Sequence, residues 1–159
     1  MTDAILTLNA GSSSIKFSLF EISGVDLLKR VSQGAIEGIG SAPHFVARDA
    51  AGAVLLERRW PASEPEFGAL LEAAIEWIET HLGQDTLIAA GHRVVHGGPD
   101  HDRPERATAA LLAELDRLTP LAPLHQPHSI APILAIAAAR PNLVQVVCCL
   151  LYTSDAADE

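Results

Sequence analysis

Three stretches of the chain carry residue types that could do chemistry on an anion: NAGSSS (residues 9–14) with Lys16 beyond it, HRVVHGG (92–98) and LHQPHS (124–129). A loop that receives phosphate needs backbone N–H groups open to close approach, hence glycine, and small hydroxyls that donate without bulk. Asn9, Gly11, Ser12, Ser13 and Ser14 supply both. The loop fits neither G-x-x-x-x-G-K-[ST] nor G-x-G-x-x-G. An alternating strand follows it, not a helix, so no helix N-terminus lends it positive potential. It belongs in a β-hairpin, with Asn9 facing phosphate directly or through a metal-bound water. A plain serine-rich turn is the other reading of the same residues.

Arg93 falls near the end of a buried strand that runs into a glycine pair. Arginine is costly there unless it meets an anion, and its planar fork suits a carboxylate or a phosphate. A salt bridge to a carboxylate at the edge of the core would satisfy it equally. His92 and His96 are four apart, which on a strand puts them on one face but too far apart to share an ion. His125 is bracketed by Pro123 and Pro127 in what reads as a stiff loop between two helices. A presented imidazole could donate to a phosphoryl group without taking a proton, or could simply be a surface residue. His128 reads as structural.

The elements that must position these groups follow from periodicity. Residues 4–8 and 15–22 read as strands, the second with Ile15, Phe17 and Leu19 alternating with Lys16 and Ser18. Residues 31–36, 44–48 and 54–60 complete an antiparallel meander. Ser63-x-x-Glu66 is a capping box, and Phe67, Leu70, Leu71, Ala74, Ile75 and Ile78 then recur at helical spacing up to Gly83. Residues 87–95 read as a buried strand, 108–118 and 129–139 as helices, and 143–147 as a last strand. The fold class is α/β, an antiparallel meander followed by alternating β and α elements.

The 159 residues suffice for one domain with its own core. A net charge of -9 disfavours nucleic acid and anionic membrane as partners, because phosphate backbones are held mainly by Lys and Arg. Any anion site is therefore local. Cys148 and Cys149 are adjacent and suit neither a disulfide framework nor a zinc site, which favours a reducing compartment. With no leader pattern and no long apolar run, the expected location is the cytoplasm.

Taken together and in order, LTLNAGSSSIKF, GHRVVHGG and LAPLHQPHSI resemble the acetate kinase family, which includes propionate and butyrate kinases. The resemblance implies an actin-like, sugar-kinase-like (ribonuclease H-like) domain. It implies reversible transfer of the ATP γ-phosphoryl group to a short-chain carboxylate, with Mg²⁺ as cofactor, acetate as first choice of substrate and propionate as second. Asn9 then resembles the metal and phosphate residue, and Ser12, Ser14 and Lys16 the phosphate-loop group. Arg93 resembles the arginine that orients the carboxylate and stabilises the transition state. Val95 and Leu124 resemble the apolar pocket around the substrate methyl, and His125 the histidine bonded to the transferring phosphoryl. A non-catalytic phosphate- or nucleotide-binding module is the alternative of another class.

Two departures matter. LHQPHSI replaces the family's more usual Asn-Pro-Ala-Asn continuation after the histidine, leaving His125 in place. After VQVVC the family continues Phe-Asp-Thr-Ala-Phe-His, so Leu150 stands where the family's catalytic aspartate is expected. Residues 149–159 are similar to the translation of a transposon-type sequencing adapter. They are expected to be a non-native, unstructured tail, with residues 1–148 an N-terminal domain whose C-terminal partner domain is absent. Intact family members are expected to be homodimers, this chain not. The expected outcome of a hydroxamate assay on the 159-residue chain with ATP, Mg²⁺ and acetate is no turnover, and robust activity would contradict the expectation of a missing half.

Overall fold

The computed structural model describes residues 2–25, 27–62 and 65–151. Its centre is an eight-stranded sheet in the order β5-β4-β3-β2-β1-β6-β8-β7. β1 (Asp3–Ala10), β2 (Ser14–Ile22), β3 (Leu28–Glu37), β4 (His44–Asp49) and β5 (Val54–Arg59) form the antiparallel meander. β6 (Thr86–His96) lies parallel to β1, and β8 (Val144–Leu151) lies parallel to β6. A two-residue strand, β7 (Glu105–Arg106), which the sequence pattern does not reveal, closes the far edge.

The helices are α1 (Phe67–Leu82), α2 (Ala109–Arg117) and α3 (Gln126–Ala139), with a 3-10 turn at Thr119–Leu121 between the last two. The apolar stripe read for α1 is buried at Leu70, Leu71, Ala74, Ile78 and Leu82, and Gly83, at φ 62, ends the helix. The capping box is not seen as expected. Ser63 lies outside the described residues, and the helix starts after Glu66, whose side chain makes no capping bond. Thr108 caps α2 by accepting from the Leu111 N–H at 3.1 Å.

The helices cover one face of the sheet. Leu6, Leu8, Ile15, Phe17, Leu19, Ile36 and Phe45 are buried beneath α1, while Val94, Val147 and Cys149 meet Leu111 and Leu115 of α2 and Ile130 and Ile133 of α3. Phe17, Phe45 and Trp77 form a triangle with ring centroids 5.8 to 6.0 Å apart. Gly34 is paired with Phe17, and a Cβ on it would collide with the Phe17 ring.

Two buried polar residues lie in the same layer. His92 Nε2 donates to Gln145 Oε1 at 2.7 Å, because the Gln145 amide nitrogen is already committed to the Ile133 carbonyl at 3.1 Å. The chain of bonds ties β6 to β8 and both to α3. Burial outweighs the Gln145 hydrogen bond and pushes the His92 pKa down to about 4.

The strand at the end of the chain is longer than its apolar pattern indicates. β8 continues through Cys149, Leu150 and Leu151, which corrects the expectation that structure stops at residue 148. The rest of the expected tail, residues 152–159, lies outside the described residues.

Gly34→Ala is expected to overpack the Phe17 ring and cost about 1–3 kcal/mol in urea unfolding. His92 supplies a pH test. Its folded pKa lies below the unfolded 6.5, so its contribution to stability is full above pH 6.5 and is lost as pH falls towards 4. The unaltered chain should lose up to about 3 kcal/mol over that window relative to His92→Gln. Parallel pH–stability curves for the two proteins would contradict it.

Candidate active site

Because successive strand residues point to opposite faces, each buried residue beneath the helices has a neighbour on the open face. Leu8 and Phe17 face the core, and Asn9 and Lys16 face outward, paired with each other across β1 and β2. His92 and Val147 face the core, and Arg93 and Cys148 face outward, paired across β6 and β8. The β1–β6 ladder runs to Leu8 and His92, leaving Asn9 and Arg93 as the next residue on each strand. From this edge β1 turns back into β2, while β6 crosses through α2 and α3 to β8 on its other side. Such a reversal at the carboxyl ends of parallel strands opens a crevice.

The crevice is a cavity of about 420 Å³, lined on its open face by Thr7, Asn9, Lys16, Gly91, Arg93 and Cys148. Arg93 is exposed, and among the described residues no acidic side chain pairs with its guanidinium. Lys16 reaches Glu37 at 3.7 Å, but both side chains are more than half exposed. Such a pair contributes little and can be exchanged for another anion.

The hydroxyl loop is shorter than its sequence indicates. Asn9 and Ala10 belong to β1 and Ser14 to β2, so only residues 11–13 turn the corner, closed by the Gly11 N–H to the Ser14 carbonyl at 2.8 Å. The Ser13 carbonyl accepts from the Ile39 N–H at 3.1 Å, which braces the loop against the β3–β4 turn. Ser12 is exposed and Ser14 half-buried at the rim, and neither lines the cavity.

Val95, half-buried, follows Arg93 on the open face, and Leu150 stands beside it on β8, 43% exposed. Leu124 and His125 do not line the cavity. Leu124 is 74% exposed, and His125 is the exposed residue at the start of α3, which begins three residues earlier than the sequence pattern suggests. His125 is therefore a helix cap and not a loop residue, because Pro127 fits the first helical turn as well as it fits a loop. His128 packs its ring 5.7 Å from Phe67. His96 Nδ1 accepts from the Gly98 N–H at 2.9 Å.

Sequence reasoning missed two residues. Cys148 shares the cavity with Arg93, while burial first, then the Glu105 carboxylate, pushes its neighbour Cys149 up to about 11. Gln126, fully buried beside His125, bonds to the backbone of His96. Its available signal was its place between the motif histidine and a proline, where an amide has no local partner.

The donor set suits Mg²⁺ only in one manner. Asn9 offers an uncharged oxygen, and among the described residues no carboxylate lines the cavity, which fits an ion that keeps most of its waters and is held mainly by bound phosphates.

A family model described as the Acetokinase family matches residues 4–151. Among curated relatives, an acetate kinase of Nitrobacter hamburgensis is 43% identical over 147 residues, covering 92% of this chain and 36% of the relative. One of Rhizobium meliloti is 42% identical, covering 92% and 37%. Among solved structures, a propionate kinase from Francisella tularensis superposes with a TM-score of 0.75 at 27% identity, covering 92% of this chain and 36% of that one. An acetate kinase of Porphyromonas gingivalis gives 0.74 at 27%, covering 92% and 37%. The chain thus spans a little over a third of the length of the relatives it matches.

Proposed function

The chain belongs to the acetokinase family, and from that premise we propose that it contributes the Asn9–Arg93 crevice to a reversible phosphoryl transfer between ATP and a short-chain carboxylate, acetate before propionate. The observation that carries this is Arg93. A guanidinium on the open face of the sheet with no acidic partner among the described residues, in one cavity with Asn9 and Lys16, is a site prepared for an anion.

In the proposed roles, Arg93 holds the carboxylate through its two-pronged fork and offsets negative charge on the phosphoryl group in transit. His125 donates an imidazole N–H to that group from the start of α3. Lys16, Ser12 and Ser14 hold nucleotide phosphates at the hairpin, and Asn9 contacts the phosphates and a water of Mg²⁺. When bound, the ion supplies charge neutralisation. Val95 and Leu124 form the apolar wall for the acyl methyl, where one methylene of substrate is worth about 1–3 kcal/mol. Phosphoryl transfer demands little covalent help, so positioning and charge are what these side chains can contribute. Leu150 provides no carboxylate for such a site.

No helix among the described residues is long and apolar enough to cross a membrane, and the cytoplasm is the proposed location. Homodimers are proposed for proteins of the relatives' length. Residues 1–148 are proposed as the native domain and residues 149–159 as foreign to it.

Calorimetric titration of the chain with acetyl phosphate and Mg²⁺ tests the role of Arg93. Arg93→Ala is expected to weaken binding by about tenfold or more. Equal affinity in the two proteins would sink the proposal. Tight Mg²⁺-dependent ATP binding that is indifferent to Arg93 would favour a binding module instead.

A further inference from the structure

Gln126 is fully buried, and its amide makes three hydrogen bonds. Oε1 accepts from the His96 N–H at 3.1 Å, and Nε2 donates to the His96 carbonyl at 2.9 Å and to the Leu115 carbonyl at 2.9 Å. One side chain thereby takes both backbone groups of the residue that ends β6, as a neighbouring strand would, together with a carbonyl from the last turn of α2. Its own N–H donates to the Ala122 carbonyl at 2.8 Å, closing the turn behind His125. Among the described residues, no other hydrogen bond joins the start of α3 to β6.

The two segments that this amide connects, the end of β6 and the start of α3, carry the groups that the proposed reaction needs in register. His125 precedes Gln126 as the cap of α3, and His96 lies three residues beyond Arg93 on β6, its side chain on the core face and that of Arg93 on the open face. We infer that Gln126 is a positioning residue, fixing the His125 imidazole relative to the Arg93 guanidinium by spanning α3, α2 and β6. The inference rests on the proposed function for the roles of His125 and Arg93. An amide suits the task because it matches one donor and one acceptor on the same residue and does not titrate, so the spacing it sets does not vary with pH. An apolar replacement would take this partner from the buried N–H and carbonyl of His96, while the Leu115 carbonyl would keep the Leu118 N–H at 3.1 Å. Misplacing a group by about 1 Å from outside the site can cost a hundredfold in rate, which makes such a support functionally visible.

The test is NMR on the 159-residue chain labelled at histidine and arginine, unaltered and as Gln126→Ala. Gln126→Glu, of equal length but without the donating amide, replaces it if the alanine form does not fold. Without ligand, the His125 ring signals are expected to move or broaden in the variant, while those of His44 and His81 stay in place. His125 signals that superpose on those of the unaltered chain overturn the inference, whatever the site binds. Inorganic phosphate with Mg²⁺ then separates the two ideas. In the unaltered chain His125 and Arg93 should shift along one saturation curve, and in the variant Arg93 should keep its response while that of His125 weakens about tenfold. Equal weakening at both groups indicates general loosening and overturns the positioning role. Phosphate that moves neither group in the unaltered chain counts against the proposed reaction, and the ligand-free comparison alone then decides on Gln126.

Discussion

A sheet covered by helices on one face only must sort its residues by parity, and nearly every feature of this molecule depends on that sorting. Leu8 and Asn9, Lys16 and Phe17, His92 and Arg93, Val147 and Cys148 are neighbours that part company, one into the core and one into the crevice. Core and candidate site are built from the same strands, so neither can shift without the other. A slip of one residue in register would bury the arginine and expose the leucine. Gly34 guards against this locally, since the space it leaves is filled by the Phe17 ring and by nothing larger.

Apolar contact alone would hold the helices on the sheet without dictating where along it they sit, because hydrophobic burial is non-directional. Two buried glutamines supply the direction. Gln145 joins His92 on β6 to the Ile133 carbonyl of α3, and Gln126 at the start of α3 takes the backbone of His96 further along the same strand. In both amides the oxygen and the nitrogen are each hydrogen-bonded, which offsets the cost of burying them. The candidate arginine lies on β6 between these two attachments, and the candidate histidine stands beside one of them.

Electrostatics act locally in a chain whose net charge is -9. Arg93 and Lys16 meet at a crevice that no carboxylate among the described residues lines, so a negatively charged chain still presents a positive point at the edge of its sheet. The nearest candidate competitor, Glu37, sits in solvent and holds Lys16 only loosely.

Much of this was legible in the sequence. The meander, α1 and the alternation of β and α elements followed from apolar spacing, and the residues suited to anions were visible by type. The misses share a cause. Asn9 read as a loop residue because its pairing with Lys16 is a cross-strand fact. β7 went unseen because two residues have no period. The start of α3 was placed late because Pro127 serves a loop as well as a first helical turn. Gln126 drew no notice because its partners lie on β6 and α2. Side-chain chemistry and apolar period are local properties, and the sequence by itself determined them: which segments are strands or helices, which residues face inward, which could meet an anion. Only the tertiary structure decided that β1 and β6 lie side by side, that Asn9 and Arg93 therefore share a cavity, and that a buried amide stands between β6 and His125. Those facts depend on which distant segments pair, and pairing is settled by the packing of the whole chain.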